Sequence, residues 1–375
     1  MNKFVYTALV ATMASSTGFA TETDWPELDR ELEALSSTLN TQNTGGPQLS
    51  GWVITALDFS GDLMPNGVDD LGGAGFRSIR LNVAGSTADY GYKVSTDLAG
   101  GTAVLLDAYG QLNFTENFSM QMGNFKTPFL SSQMRSRKRE LMLDRTFIGG
   151  GSVAGSTGAA AGLNDPTAVG PTRDAGVMFF GNFADSIGWW LSLQNGADSQ
   201  ANNYRLTGRL AWDAMGEGAG QMVDGAYNSG DGTNMTIAVA YTEDSSETNA
   251  AGTPLASMGD DVEQIGGEVY VTSGPFYIGG EIVSNGKNLG DNTPFTVTGS
   301  YLFNGDWEVA LRYQGLDDTP MAGALAGDFG ESIASVGINK YVSGHDVKWQ
   351  FQYANQTFTT ADDIGVISLG LVLAF

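Results

Sequence analysis

The chain has 375 residues, 52 of them glycine and none cysteine, with 42% hydrophobic and 16% charged residues and a formal charge of −24. Without cysteine there is neither a disulfide framework nor a thiolate site, and such acidity argues against nucleic acid or anionic lipid as partners. Beyond the N-terminus no run approaches the ~18 apolar residues of a membrane helix, which excludes a helical membrane protein.

Met1-Asn-Lys3 is followed by an apolar stretch, Phe4 to Ala14, and then by Gly18-Phe19-Ala20, small residues where a signal peptidase looks for them. Residues 1–20 thus read as a signal peptide cut after Ala20, and its loss removes Lys3 and leaves a charge of −25. An exported chain without cysteine must draw stability from some other closed system of bonds, and a complete strand ladder is one. Residues 21–47 form a different segment. Asp24 and Glu27 suit a helix N-terminus, and Leu28, Leu32, Leu35 and Leu39 recur at heptad-like spacing until Gly45-Gly46-Pro47 stops them. A short periplasmic helix is expected, either lying on a surface or acting as a trimerisation stub.

Residues 48–375 follow a repeating grammar of alternating apolar and polar segments about ten residues long. Sixteen strands are expected at 49–59, 76–87, 90–98, 104–114, 118–126, 173–183, 187–195, 204–212, 234–243, 262–272, 276–284, 294–303, 307–315, 332–342, 346–356 and 365–375. Tight turns fall at 88–89, 115–117, 184–186, 273–275, 304–306 and 343–345, alternating with mostly longer connections. Short turns at one end and long loops at the other are the layout of an outer-membrane barrel, and an even count brings both termini to the short-turn side. Two connections fit poorly: 213–233 is long for the short side, and Ala99 to Ala103 is short for the long side. The fold class expected is all-β, a transmembrane antiparallel β-barrel.

The faces agree. At 346–356, Val347, Trp349, Phe351 and Tyr353 oppose Lys348, Gln350 and Gln352; at 307–315, Trp307, Val309, Leu311 and Tyr313 oppose Glu308, Arg312 and Gln314. Soluble antiparallel sheets alternate too. Aromatic pairs beside the short turns separate the cases: Phe114/Phe118, Phe183/Trp189, Tyr270/Phe276, Phe303/Trp307 and Tyr341/Trp349 would form a belt at a bilayer interface. The last strand, ending in Leu369, Leu371, Leu373 and Phe375 on one face, would close the ring against 49–59. By the same parity Arg80, Lys93, Arg205, Arg209, Arg312 and Lys348 point into the lumen, with Asp58, Asp97, Asp107, Glu268 and Glu308.

Six of the 18 Lys and Arg lie between 126 and 145: Lys126, Arg135, Arg137, Lys138, Arg139 and Arg145. They open the longest non-strand segment, 127–172, which continues through the glycine-rich stretch 149–162. Structureless loops of this length are usually functional. Folded into a lumen, this one would narrow it, and arginine and lysine at a constriction select anions. The alternative is an exposed basic loop that binds lipopolysaccharide phosphates or stays solvated.

Gly123-Asn-Phe-Lys-Thr-Pro-Phe129, with Leu141-Met-Leu-Asp-Arg-Thr-Phe147, resembles the central segment of the phosphate-selective porin O and P family. The resemblance is specific over about 25 residues and general in layout over 49–375. It implies a sixteen-stranded homotrimeric barrel in the Gram-negative outer membrane, surrounded by lipid and lipopolysaccharide, whose third loop enters the pore and passes small anionic solutes. Carried onto this sequence, the constriction residues are Lys126, Arg135, Arg137, Lys138, Arg139 and Arg145. The inward set along the wall is sparser than the family's dense basic ladders, and this departure puts phosphate specificity in question.

An enzyme is disfavoured. The one histidine, His345, falls in a short turn, where an exposed side chain is expected, so neither a triad nor a multi-histidine metal site can be assembled. No cofactor is expected. Acid pairs such as Asp69-Asp70, Asp260-Asp261, Asp317-Asp318 and Asp362-Asp363 read as solvated loop tips. The expected function is passive diffusion of small hydrophilic solutes with an anion preference, phosphate among them. The alternatives are a general or cation-preferring pore and a plugged structural or adhesive barrel.

Overall fold

The computed structural model describes residues 46–60, 71–150, 173–183, 186–196, 204–218, 224–227, 229, 232–245, 262–286, 291–320, 329–359 and 363–375. The expected signal peptide, nearly all of the 21–47 helix, the glycine-rich part of the long loop, and Asp69-Asp70, Asp260-Asp261 and Asp362 lie outside them.

The described strands are β1 (Gln48–Ser60), β2 (Leu71–Ser86), β3 (Tyr90–Asp97), β4 (Val104–Thr115), β5 (Phe118–Lys126), β6 (Arg173–Phe183), β7 (Ile187–Gln194) and β8 (Arg205–Met215). They continue with β9 (Thr233–Asp244), β10 (Val262–Ser273), β11 (Phe276–Asn285), β12 (Phe295–Phe303), β13 (Trp307–Pro320), β14 (Phe329–Ser343), β15 (Val347–Phe358) and β16 (Ile364–Ala374). Each pairs antiparallel with its sequence neighbours, and β1 pairs with β16, so the sheet is a closed barrel with no free edge. Closure is completed by Gly51 and Phe375, whose backbones exchange hydrogen bonds of 2.9 and 3.0 Å.

The sixteen expected strands are all present, most with ends within a few residues. Tight turns join them at one end. At Asn304-Gly305 both residues have positive φ, 55° and 77°, the twist that suits a two-strand hairpin. The connection between β8 and β9, residues 216–232, remains as long as its sequence suggests.

Alternation sorts the side chains. On β16, Ile367, Leu369 and Leu373 are exposed outward while Val366, Ser368, Gly370 and Val372 are buried inward. Outward aromatics stack near the short turns: Phe114 on Phe118 at 5.3 Å, Phe183 on Trp189 at 5.6 Å, Phe303 on Trp307 at 6.4 Å and Phe276 against Tyr301 at 4.8 Å. Tyr270 and Tyr341, expected in this belt, instead face inward and are buried, because each shares parity with inward Glu268 and Asn339. Their hydroxyls donate to the inward carboxylates Glu281 and Glu308.

The buried core lies inside the barrel, between loop residues Phe129, Leu130, Leu141, Met142, Leu143, Phe147 and Ile148 and small inward wall residues such as Ala240, Ala310, Ala354 and Val366.

The loop-lined lumen as candidate functional site

After Lys126 at the end of β5, Thr127-Pro128 turns the chain into the lumen. Phe129 and Leu130 seat against Gly266 of β10, where a Cβ would stand only 2.9 Å from Leu130 and 3.0 Å from Phe129. One helical turn follows, α1 (Ser131–Met134), then a 3-10 turn at Arg137–Arg139. The first amides of α1 have no partner within the turn. Ser131 N–H donates to Glu268 (2.7 Å) and Ser132 N–H to Glu281 (2.9 Å), two wall carboxylates on directly opposite residues of β10 and β11.

The returning half is stitched to the wall by side chains that sequence parity marks as inward. Lys348 Nζ donates to Glu140 O (2.6 Å), Asn339 Nδ2 to Leu141 O (2.6 Å) and Arg312 Nη1 to Asp144 O (2.9 Å). Asp144 N–H donates to Gln352 (3.1 Å) and Phe147 N–H to Gln314 (2.7 Å). The polar inner face of β13–β15 thus satisfies a backbone that makes no ladder of its own. At the tip, Lys138 Nζ meets Asp346 of the β14–β15 turn at 2.6 Å, so the loop runs down to the short-turn end.

The lumen charges fall into two groups. Against β8–β15 most of them are sealed beneath the loop. Arg209 pairs with Glu268, both side chains fully buried, and its guanidinium also donates to Phe129 O and Ser131 Oγ. Arg312 and Arg135 both pair with Asp224 at 3.1 Å. Burial alone would lower the pKa of Arg135, but Asp224 and more weakly Glu140 hold it well above the ordinary value; Arg135 and Arg312 in turn hold Asp224 low against its own desolvation.

On β1–β6 and the facing side of the loop, charged side chains reach water. Lys93, 33% exposed, and Arg173, 17%, share the carboxylate of Asp107 at 3.0 and 2.7 Å. Arg80 pairs with Asp97 at 3.2 Å over the Trp52 ring, and Arg77 bridges Asp58 (2.8 Å) and Asp144 (3.2 Å). Arg145 pairs with Glu140 at 3.1 Å, and Arg139 is exposed.

All six expected wall cations point inward, but only Arg80 and Lys93 stand on the water-contacting β1–β6 side. Arg205 pairs with Asp244 at 2.6 Å on the other wall, and Arg209, Arg312 and Lys348 are buried. Of the loop set, Arg135 is buried in its ion pairs. Lys126 is consumed as a cap, donating to Met134 O (3.0 Å) and Arg135 O (2.6 Å).

Three participants escape sequence reasoning. Arg77 has outward parity, but the β1–β2 register slips between Ile54 and Thr55, which turns it inward. Arg173 opposes Lys126 across β5–β6, a like-charge pair visible once the register is known. Asp224 lies in the over-long β8–β9 connection, whose length was its only signal. His345 is in the expected turn but is part-buried, its ring edge-on to Tyr227 and Tyr341 at 5.5 and 5.4 Å.

The model of the phosphate-selective porin O and P family matches residues 55–363. Among solved structures, an anion-selective porin from Comamonas acidovorans is 12% identical, with 88% of this chain and 100% of that one covered and a TM-score of 0.58. OmpT of Vibrio cholerae lacking loop L8 is 15% identical, with 89% and 100% covered and a TM-score of 0.55. The outer membrane channel DcaP of Acinetobacter baumannii is 16% identical, with 88% and 97% covered and a TM-score of 0.54. At these identities the structures share the fold. No curated protein matches significantly in sequence. The chain is an outer-membrane channel of Gram-negative type and belongs to the phosphate-selective porin O and P family.

Proposed function

We propose that the channel passes small hydrophilic solutes by passive diffusion with a preference for anions. The observation that carries this reading is the partition of lumen charge. The loop covers Glu268 and Glu281 completely enough to remove them from any ion's path. On the open side Lys93 and Arg173 share one carboxylate, leaving a local excess of positive charge, and Arg139 adds another. Partly desolvated charges in a narrow passage act more strongly than surface acids a Debye length away. Because Arg77 has two carboxylate partners and Arg80 and Arg145 one each, the positive excess is small, and the site favours small anions as a class, phosphate among them, over phosphate alone.

The remaining parts of the reading are a homotrimer in outer-membrane lipid and lipopolysaccharide, with residues 1–20 as export signal and 21–47 as a helix on the periplasmic side. The test is a planar bilayer under a salt gradient. An anion-selective reversal potential is expected, weakened by Arg137→Ala, Lys138→Ala and Arg139→Ala together. A cation-selective sign overturns the proposal, and an unchanged potential in the triple variant removes the loop tip from the filter.

A further inference from the structure

Six of the seven short-end connections need only two or three residues; the β8–β9 connection uses 216–232. Its extra length carries Asp224 into the lumen from the end opposite to the roots of the loop. There the buried carboxylate collects four donors: Leu141 N–H (3.0 Å), Arg135 Nη1 (3.1 Å), Arg312 Nη2 (3.1 Å) and Tyr277 Oη (2.9 Å). The next residue, Gly225, has φ of +110°, and a Cβ there would stand 2.7 Å from Glu308 and 2.9 Å from Leu141. This conformation lets Ala226 N–H donate to Glu308 at 2.6 Å, while Tyr227 stacks on Tyr341 at 4.0 Å. Ala226 packs with Leu141 and Met142 of the loop.

We infer that the β8–β9 connection is a clamp that sets the resting position of the tip half of the lumen loop, giving the short-turn end of the barrel control over the passage. Besides the wall contacts of the returning half, two charged anchors hold the loop, and they are separable. Residues 129–133 are held by Glu268, Glu281 and Arg209, whereas Asp224 holds Arg135 and Leu141. In 135–141, Asp224 holds the Arg135 guanidinium and the Leu141 amide, while Lys348 and Asn339 take only the carbonyls of Glu140 and Leu141. Without its charge, Arg135 and Arg312 would face each other in a buried site, which ions escape by moving to water. Arg135 sits on the part of the structure that can move. Loss of the clamp therefore loosens the tip half, left on its carbonyl contacts to Lys348 and Asn339, and leaves the root half in place. This inference holds whichever ion the channel prefers.

The experiment uses the full chain folded in detergent, with Asp224→Asn and, as an uncharged wedge, Gly225→Val. Amide hydrogen exchange should accelerate about tenfold or more at 135–144 while 129–133 and the strands stay protected. In bilayers both variants should show partial closures that the unaltered protein lacks. Unchanged exchange at 135–144 overturns the clamp, and so does equal acceleration at 129–133, the mark of general loosening. Should Asp224→Asn not fold, adding Arg135→Met removes the stranded charge. If none of the three variants folds, the connection is a folding element and the clamp is refuted.

Discussion

Replacing Lys93 and Arg173 together with alanine tests the charge partition directly. The change removes two cations and strips Asp107 of its contacts at 3.0 and 2.7 Å, leaving that carboxylate facing water. An ion passing about 7 Å from one unit charge feels about 0.6 kcal/mol in water, and about half of that after screening at 0.1 M. Losing two cations thus disfavours anions by about 0.6 kcal/mol and favours cations equally, a change of about 1.2 kcal/mol, or roughly eightfold, in permeability ratio. The lower dielectric of a narrow lumen makes this a floor. At 1 M salt, with a Debye length of about 3 Å, the effect should shrink to less than about twofold. Reversal potentials at both salt concentrations supply the measurement, and Asp107→Asn should move the ratio the opposite way. A change below about twofold at 0.1 M would mean that these charges lie off the ion path.

Gly370→Val should push the loop off β16, since a Cβ there collides with Leu143 and comes within 3.2 Å of Thr55 O. Overpacking of this kind costs about 1–3 kcal/mol. Faster exchange at 141–148 is the expected outcome, and unchanged protection there would contradict the packing. His345 should make the barrel acid-sensitive. Its folded pKa is lowered from 6.5 to about 3, first by burial and then by Lys348, Arg139 and Lys138. A depressed base is neutral in the fold, so its contribution is complete above pH 6.5 and is lost as pH falls toward 3. Denaturant melting of His345→Gln should show a shallower loss of stability over that window. Equal slopes for variant and parent would exclude the histidine as the cause.

The architecture was legible because a barrel strand states its own geometry. The two faces of β13 and β15 could be assigned from sequence, since period-two alternation survives wherever lipid-facing and lumen-facing residues differ in polarity. What parity cannot see is a slip in register. The bulge between Ile54 and Thr55 reverses Arg77, and no residue in the sequence announces it. Tyr270 and Tyr341 show a second limit. Proximity to a short turn suggested the bilayer belt, but an aromatic of inward parity beneath a covering loop has a carboxylate partner instead. Loop placement was legible only as possibility. The basic cluster marked the segment that matters without saying which cations are consumed in fastening it.

That division keeps part of a strongly acidic chain's lumen charge out of reach of water. Asp224, Glu268 and Glu281 are spent on Arg135, Arg209 and the first amides of α1, and all are shut away from water. A buried ion pair adds little net stability, but breaking one side is costly, so the pairs fix where the loop lies more than how tightly it is held. The same loop holds Arg145 on Glu140, Ser132 O and Arg135 O, while Arg80, Lys93 and Arg173 meet solvent on the β2–β6 wall. Folding the loop therefore decides which lumen charges water meets, since it shuts away Arg209, Arg312 and Lys348 together with Glu268 and Glu281. On the proposed reading, ion preference depends on loop position, because a displaced loop would uncover Glu268 and Glu281 together with Arg209.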